Sequence, residues 1–168
     1  MAFFEDLSVY EYFHARYFRP GTKNVGWLGL GHEFNTAEPD EELLNVLWNV
    51  CKVSVVQTRG LHDCEFCPFG TSRHAERNGE GLLLGSSEIR VFSREGMIYA
   101  APTLIYHYVK SHKYRPPAEF LKALAEGPLP PSREYFQRLE ELELKWNKTS
   151  DASGEAFRFE CDQPNSKG

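Results

Sequence analysis

The sequence predicts a single α+β domain, in which a small antiparallel sheet packs with about four helices. Three observations predict it. Apolar residues recur at helical spacing in four places, near residues 43–50, 103–112, 118–125 and 132–146. Short runs rich in β-branched and other apolar residues, at 53–58, 88–92 and 97–100, stand between the first two of them. The chain is 168 residues long and 41% hydrophobic, which is one domain's length and enough apolar content for a core without disulfides.

The first twenty residues hold seven aromatic rings: Phe3, Phe4, Tyr10, Tyr12, Phe13, Tyr17 and Phe18. Rings at that density are costly to leave in water, so the segment is expected to lie on the domain. Pro20-Gly21 marks a turn, and residues 25–30 read as a short strand whose packing residues are Trp27 and Leu28. Glu38-Pro39-Asp40-Glu41-Glu42 is a helix start, with acids placed to complement the helix dipole. Leu43, Leu44, Val46, Leu47 and Val50 then form one apolar face, closed by Lys52.

The buried strand expected at 53–58 leads into a His-Cys-Cys segment, and the polar, glycine-containing stretch 69–85 reads as a surface loop. Strands at 88–92 and 97–100 make a hairpin through Ser93-Arg94-Glu95-Gly96. Pro102-Thr103 opens a helix carrying Leu104, Ile105, Tyr108 and Val109, which must stop before Pro116-Pro117. A short helix follows at 118–125. Ser132 caps the last one, with Tyr135, Phe136, Leu139, Leu142 and Trp146 at helical spacing. The globular domain is therefore expected over 1–146 and a polar tail over 147–168, where Phe157 and Phe159 alternate with charges.

No apolar run spans a bilayer, and the N-terminus turns acidic where a signal peptide would be basic, so the expected compartment is the cytoplasm. A net charge of −5 without a dense Lys/Arg run disfavours charge-driven nucleic-acid binding and leaves a protein partner as the expectation. In a reducing compartment, four cysteines point to metal or redox chemistry rather than to two disulfides. Cys51 ends an apolar segment and reads as a small buried hydrophobe.

Cys64 and Cys67 are the pair with chemistry. In His62-x-Cys64-x-x-Cys67 two thiolates can converge on one ion, and His62 shares a face with Cys64 in extended backbone. His107 and His112 lie on the helix after the hairpin, so the order is knuckle, hairpin, histidine helix, the plan of a small zinc-finger module. Five residues put the two histidines about 140° apart on a regular helix, so both reach one ion only if the last turn loosens. The expected ligand set for a structural zinc is thus Cys64, Cys67 and two of His62, His107 and His112. Five candidates for four places point to a closed site.

The competing readings are an unliganded thiol pair and a redox couple. No helix pattern begins at Cys64 to lower its pKa, which weakens the second. An enzymatic alternative would use His62, Glu88 or Arg90 around an open metal. Against it, Glu88 at a strand start reads as solvated and Arg90 as paired at the surface.

Several stretches carry a resemblance: residues 58–67, residues 84–91, residues 99–109, His112-Lys113-Tyr114-Arg115-Pro116-Pro117 and Asn24-Val25-Gly26-Trp27-Leu28. Together they resemble a family of small bacterial proteins of unknown function, over roughly residues 3 to 125. The resemblance implies one domain and a bacterial cytoplasm, and brings no activity or catalytic residue. The functional expectation is a zinc-stabilised binding module.

Overall fold

The computed structural model describes residues 2–11 and 19–148. Within them the elements run β1 (Thr22–Asn24), α1 (Glu41–Cys51), β2 (Val53–Val55), β3 (His74–Arg77), β4 (Glu80–Leu83), β5 (Glu88–Phe92), β6 (Ile98–Pro102), α2 (Ile105–His112), α3 (Ala118–Glu126), α4 (Arg133–Glu141) and β7 (Trp146–Lys148). Five strands form one sheet in the order β1-β6-β5-β2-β7, and β3 and β4 form a separate ribbon. The fold is α+β as expected, but the sheet is mixed. β1 lies parallel to β6, with Thr22 opposite Ile98 and Asn24 opposite Ala100. The intervening α1, β2 and ribbon provide the long crossover that a parallel pair needs.

Helix α1 begins where its acids place it. The Leu43 N–H donates to the Asp40 side chain at 2.6 Å, and Leu44, Leu47, Trp48, Val50 and Cys51 are buried. The strand after it ends earlier than expected, at Val55, because Val56 takes a positive φ of 50°. That conformation is strained for a β-branched residue, and it sends the chain toward Ser86, whose carbonyl accepts from the Thr58 N–H.

Residues 25–30 do not form the expected strand. Pairing occurs three residues earlier, and the chain then turns at Gly26, with φ of 72°. Trp27 and Leu28 are nevertheless buried, and the Trp27 indole N–H donates to the Ala100 carbonyl. The aromatic N-terminus packs down in its described part. Phe4 meets Trp27 edge-on, and Tyr10 is fully buried.

The stretch read as a loop at 69–85 contains the β3–β4 ribbon. Its turn is Asn78-Gly79, both at positive φ, between strands in which Ala75 faces Leu82 and Arg77 faces Glu80. Asn-Gly is the turn chemistry of a two-residue hairpin, so this signal was present in the sequence. The β5–β6 hairpin forms as expected, with Gly96 at a φ of 91°.

Strand β5 is buried on both faces. Ile89 and Val91 belong to the main core with α1, α2 and α3, while Phe92 joins Tyr135 and Leu139 of α4 on the other side. Glu88 and Arg90 share that second face and are 3% and 2% exposed, not solvated or surface-paired as their types suggested. Arg90 donates to Glu88 at 2.6 Å, Tyr10 donates to both Glu88 oxygens at 2.9 Å, and the Tyr135 hydroxyl donates to the Arg90 carbonyl. The second layer explains the difference, because α4 and the N-terminal segment cover a face that would otherwise meet water.

Trp146 does not continue α4. The helix ends at Glu141, Glu143 takes φ of 56°, and Trp146 opens β7 opposite Val55 while its ring packs against Phe136. Residues from 149 onward, including Phe157 and Phe159, lie outside the described part.

Candidate metal centre

The knuckle is a tight turn in which the Cys67 N–H donates to the Cys64 carbonyl at 3.3 Å. Neighbours hold it in shape. The Cys64 N–H donates to the buried Ser72 hydroxyl at 2.8 Å. Arg73 forks onto Asp63 with two hydrogen bonds, at 2.9 and 2.8 Å, while the Gly70 N–H donates to the same carboxylate. The Leu30 N–H donates to Glu65. Phe66 lies inside an aromatic group with Phe34, Tyr108 and His112.

Helix α2 brings the histidines. Its last turn is wide: the Lys113 and Tyr114 N–H groups both bond to the Tyr108 carbonyl, five and six residues back, and Lys113 is left-handed at φ 55°. That is the loosening which residues five apart require to share a face. His112 closes the helix, and its ring turns back toward His107, with ring centroids 5.0 Å apart.

Four ligand atoms converge from these two elements. His112 Nε2 lies 3.2 Å from Cys64 Sγ, 3.3 Å from Cys67 Sγ and 3.2 Å from His107 Nε2, and His107 Nε2 lies 3.4 Å from Cys67 Sγ. All four atoms fall within 4.8 Å of one another, close enough to bind one metal ion. Hydrogen bonding alone does not account for this packing. A ring nitrogen carries either one proton or one lone pair, so His112 Nε2 cannot satisfy three neighbours at once. A cation at the centre would satisfy all four side chains together.

The electrostatics favour the same state. Burial first, then the His112 and Lys110 charges, push His107 down to about 4, and burial also lowers His112. Both shifts favour the neutral imidazole, the form that ligates a metal. Burial pushes the Cys64 thiol up to about 12, against the opposing pull of the Phe66 and Cys67 N–H groups. A cation entering the site would displace that proton, and the same N–H groups would then stabilise the thiolate. The Ser111 hydroxyl lies 3.4 Å from His107 Nδ1 and is placed to fix the tautomer.

Of the expected candidates, Cys64, Cys67, His107 and His112 come together and His62 stands outside the group. His62 supports the knuckle through its backbone, its N–H donating to the Gly85 carbonyl at 2.8 Å. Glu88 and Arg90 are locked to each other in the second layer. Asp63, Ser72 and Arg73 were not singled out in the sequence, because nothing in spacing alone marks a brace.

The fold and site define an α+β domain with four Cys and His side chains grouped as a possible metal centre. The chain belongs to the family described as a domain of unknown function (DUF7919), matched over residues 2–125. That match spans all four converging residues and ends before α4 and β7. No curated protein and no solved structure matches the chain. No helix among the described residues is long and apolar enough to cross a membrane.

Proposed function

We propose that this chain is a zinc-stabilised binding module of the bacterial cytoplasm, with Zn2+ held by Cys64, Cys67, His107 and His112. The observation that carries this reading is the spacing of the four ligand atoms. Zn–N and Zn–S bonds at a tetrahedral angle give edges of about 3.3 Å between nitrogens and about 3.6 Å between nitrogen and sulfur. Four of the six separations run from 3.2 to 3.4 Å, close to those edges, and all six fall within 4.8 Å. A tetrahedral set of two thiolates and two imidazoles suits zinc, since calcium and magnesium seek oxygen.

Four protein ligands close the coordination sphere, which is the arrangement of a structural ion. The ion would join a knuckle to a helix some forty residues further on, as the contacts between Cys67 and His107 and between Cys64 and His112 lie 40 and 48 residues apart. Its binding would contribute folding free energy directly. The binding role is supported by apolar side chains left in solvent on the same region: Leu61 and Phe69 beside the knuckle and Leu83 on β4. With a net charge of −5, a protein partner suits that surface better than nucleic acid.

Metal analysis of the purified full chain tests the reading, with about one equivalent of zinc expected for one four-coordinate site. Cys64→Ser and Cys67→Ser should lose the metal and lower Tm, while Cys161→Ser should do neither. A chain that arrives metal-free, takes up no zinc and melts identically with both thiols replaced would sink it.

A further inference from the structure

We propose that the metal centre is a peroxide-responsive switch, in which oxidation of Cys67 and Cys64 to a disulfide expels the ion and frees the knuckle from α2. The proposal rests on the zinc reading above and adds its regulation.

The two sulfurs are unequal. Cys64 is 1% exposed, while Cys67 is a partly exposed residue whose Sγ lies 3.4 and 3.3 Å from the His107 and His112 Nε2 atoms. A metal-bound sulfur is a thiolate, and a solvent-accessible thiolate with a second one beside it is the arrangement that peroxide oxidises to a disulfide. Both sulfurs already lie within the 4.8 Å group, on a turn closed by the Cys67 N–H bond to the Cys64 carbonyl. The Cys67 thiolate attacks one oxygen of hydrogen peroxide; the O–O bond breaks and hydroxide leaves, giving a sulfenic acid. The Cys64 thiolate then attacks that sulfur, forming the S–S bond and expelling a second hydroxide. Two electrons pass from the sulfurs to the peroxide, and two solvent protons convert both hydroxides to water. Zn2+ keeps only two imidazoles and departs.

Release matters because of what else joins the knuckle to α2. The knuckle's hydrogen bonds include those of Cys64 to Ser72, of Gly70 and Arg73 to Asp63, of Leu30 to Glu65 and of His62 to Gly85. Contact with α2 comes through the candidate ligand atoms, the Phe66 ring against Tyr108 and His112, and the packing of Cys64 and Cys67 on the core that includes Tyr108 and Val109. Losing the ion would leave apolar packing around the Phe66 ring as the tie. Its movement would bare Phe66, Phe34 and Tyr108 next to Phe69, which is already 84% exposed.

The test uses the full chain after its zinc content has been measured. Hydrogen peroxide is titrated in, and zinc release, free thiols and the masses of alkylated peptides are followed together. About one zinc should leave per two thiols lost, the peptide holding Cys64 and Cys67 should lose about 2 Da, and reductant plus zinc should restore both. Chymotrypsin should cut after Phe66 only in the oxidised form. Zinc retained while Cys51 or Cys161 is oxidised would overturn the switch. So would a sulfinic acid at Cys67 with no disulfide, or release that accompanies global unfolding. A chain without zinc at the start would overturn the zinc reading first and the switch with it, which separates the two failures.

Discussion

Arg73 and Asp63 face each other fork to fork, Nε to Oδ1 at 2.9 Å and Nη2 to Oδ2 at 2.8 Å, across the base of the Cys64–Cys67 knuckle. Phe69 lies over the guanidinium, 4.5 Å from it, so the pair is also stacked. A bidentate pair fixes direction as well as distance, and here it sets the turn from which both cysteines project.

Asp63→Asn should therefore weaken metal retention while leaving all four ligands in place. An amide can still accept from Gly70, but it loses the charged fork. Outer partners of metal ligands commonly carry about 10- to 100-fold in affinity, and competition with a chelator would measure it. Arg73 also holds the Asp63 carboxyl below the usual carboxylate range. A depressed carboxylate stabilises the fold above its unfolded pKa and ceases to do so as pH falls through its folded one. The difference between wild type and Asp63→Asn should accordingly shrink at acid pH.

Gly85 and His62 make a second close relation. A Cβ on Gly85 would lie 2.1 Å from the His62 carbonyl oxygen, and Gly85 has φ of 86°. Gly85→Ala should cost more than about 2 kcal/mol, from the left-handed backbone and the clash together. Gly96 has a similar φ of 91° but open space around it, so Gly96→Ala should cost only about 1 kcal/mol. Denaturant melts of the two variants separate clash from conformation. Equal losses would mean that the contact with His62 is of no consequence.

The Glu88–Arg90 pair supplies a third test. Removing one partner strands the other charge, and Arg90 Nη2 already has no hydrogen-bond partner among the described residues. Glu88→Leu alone should destabilise by about 3–5 kcal/mol, whereas Glu88→Leu with Arg90→Met should recover much of that loss. Urea unfolding of the single and double variants checks it, and a double variant no better than the single would contradict the account.

These residues also show what the sequence disclosed and what it hid. Helical spacing found α1 to α4, because each buries one apolar stripe against the sheet. Spacing failed at Trp146, which falls in the helical register of Leu139 and Leu142 and yet begins β7, since the chain reverses at Glu143. Glu88 and Arg90 misled for another reason. An alternating strand normally wets its polar face, and nothing local in Glu88-Ile89-Arg90-Val91-Phe92 reveals that α4 covers it. Asn78-Gly79 carries the hairpin signal of β3 and β4, which the reading of 69–85 as a loop did not use. At the metal centre the C-x-x-C pair and the candidate histidines were readable from residue type. The choice among three histidines was not, because it depends on the wide last turn of α2.

That choice yields the last prediction. His107 and His112 both present Nε2 to the sulfurs, while His62 stands apart with its backbone against Gly85. His62→Asn should then keep the metal, because it preserves the backbone contacts and removes no ligand atom. His107→Asn and His112→Asn should each leave a three-ligand site with weakened affinity. The two should differ in degree. His112 Nε2 touches both sulfurs and His107, whereas His107 Nε2 touches Cys67 and His112. His112 also packs its ring on Phe66 and Tyr108. Its loss should lower Tm further than the loss of His107, beyond the shared effect of the absent ion. Titration of each variant with zinc against a competing chelator, followed by melts with and without metal, reads both quantities. A His62→Asn variant that loses zinc as readily as His112→Asn would show that the ligand set here is misassigned.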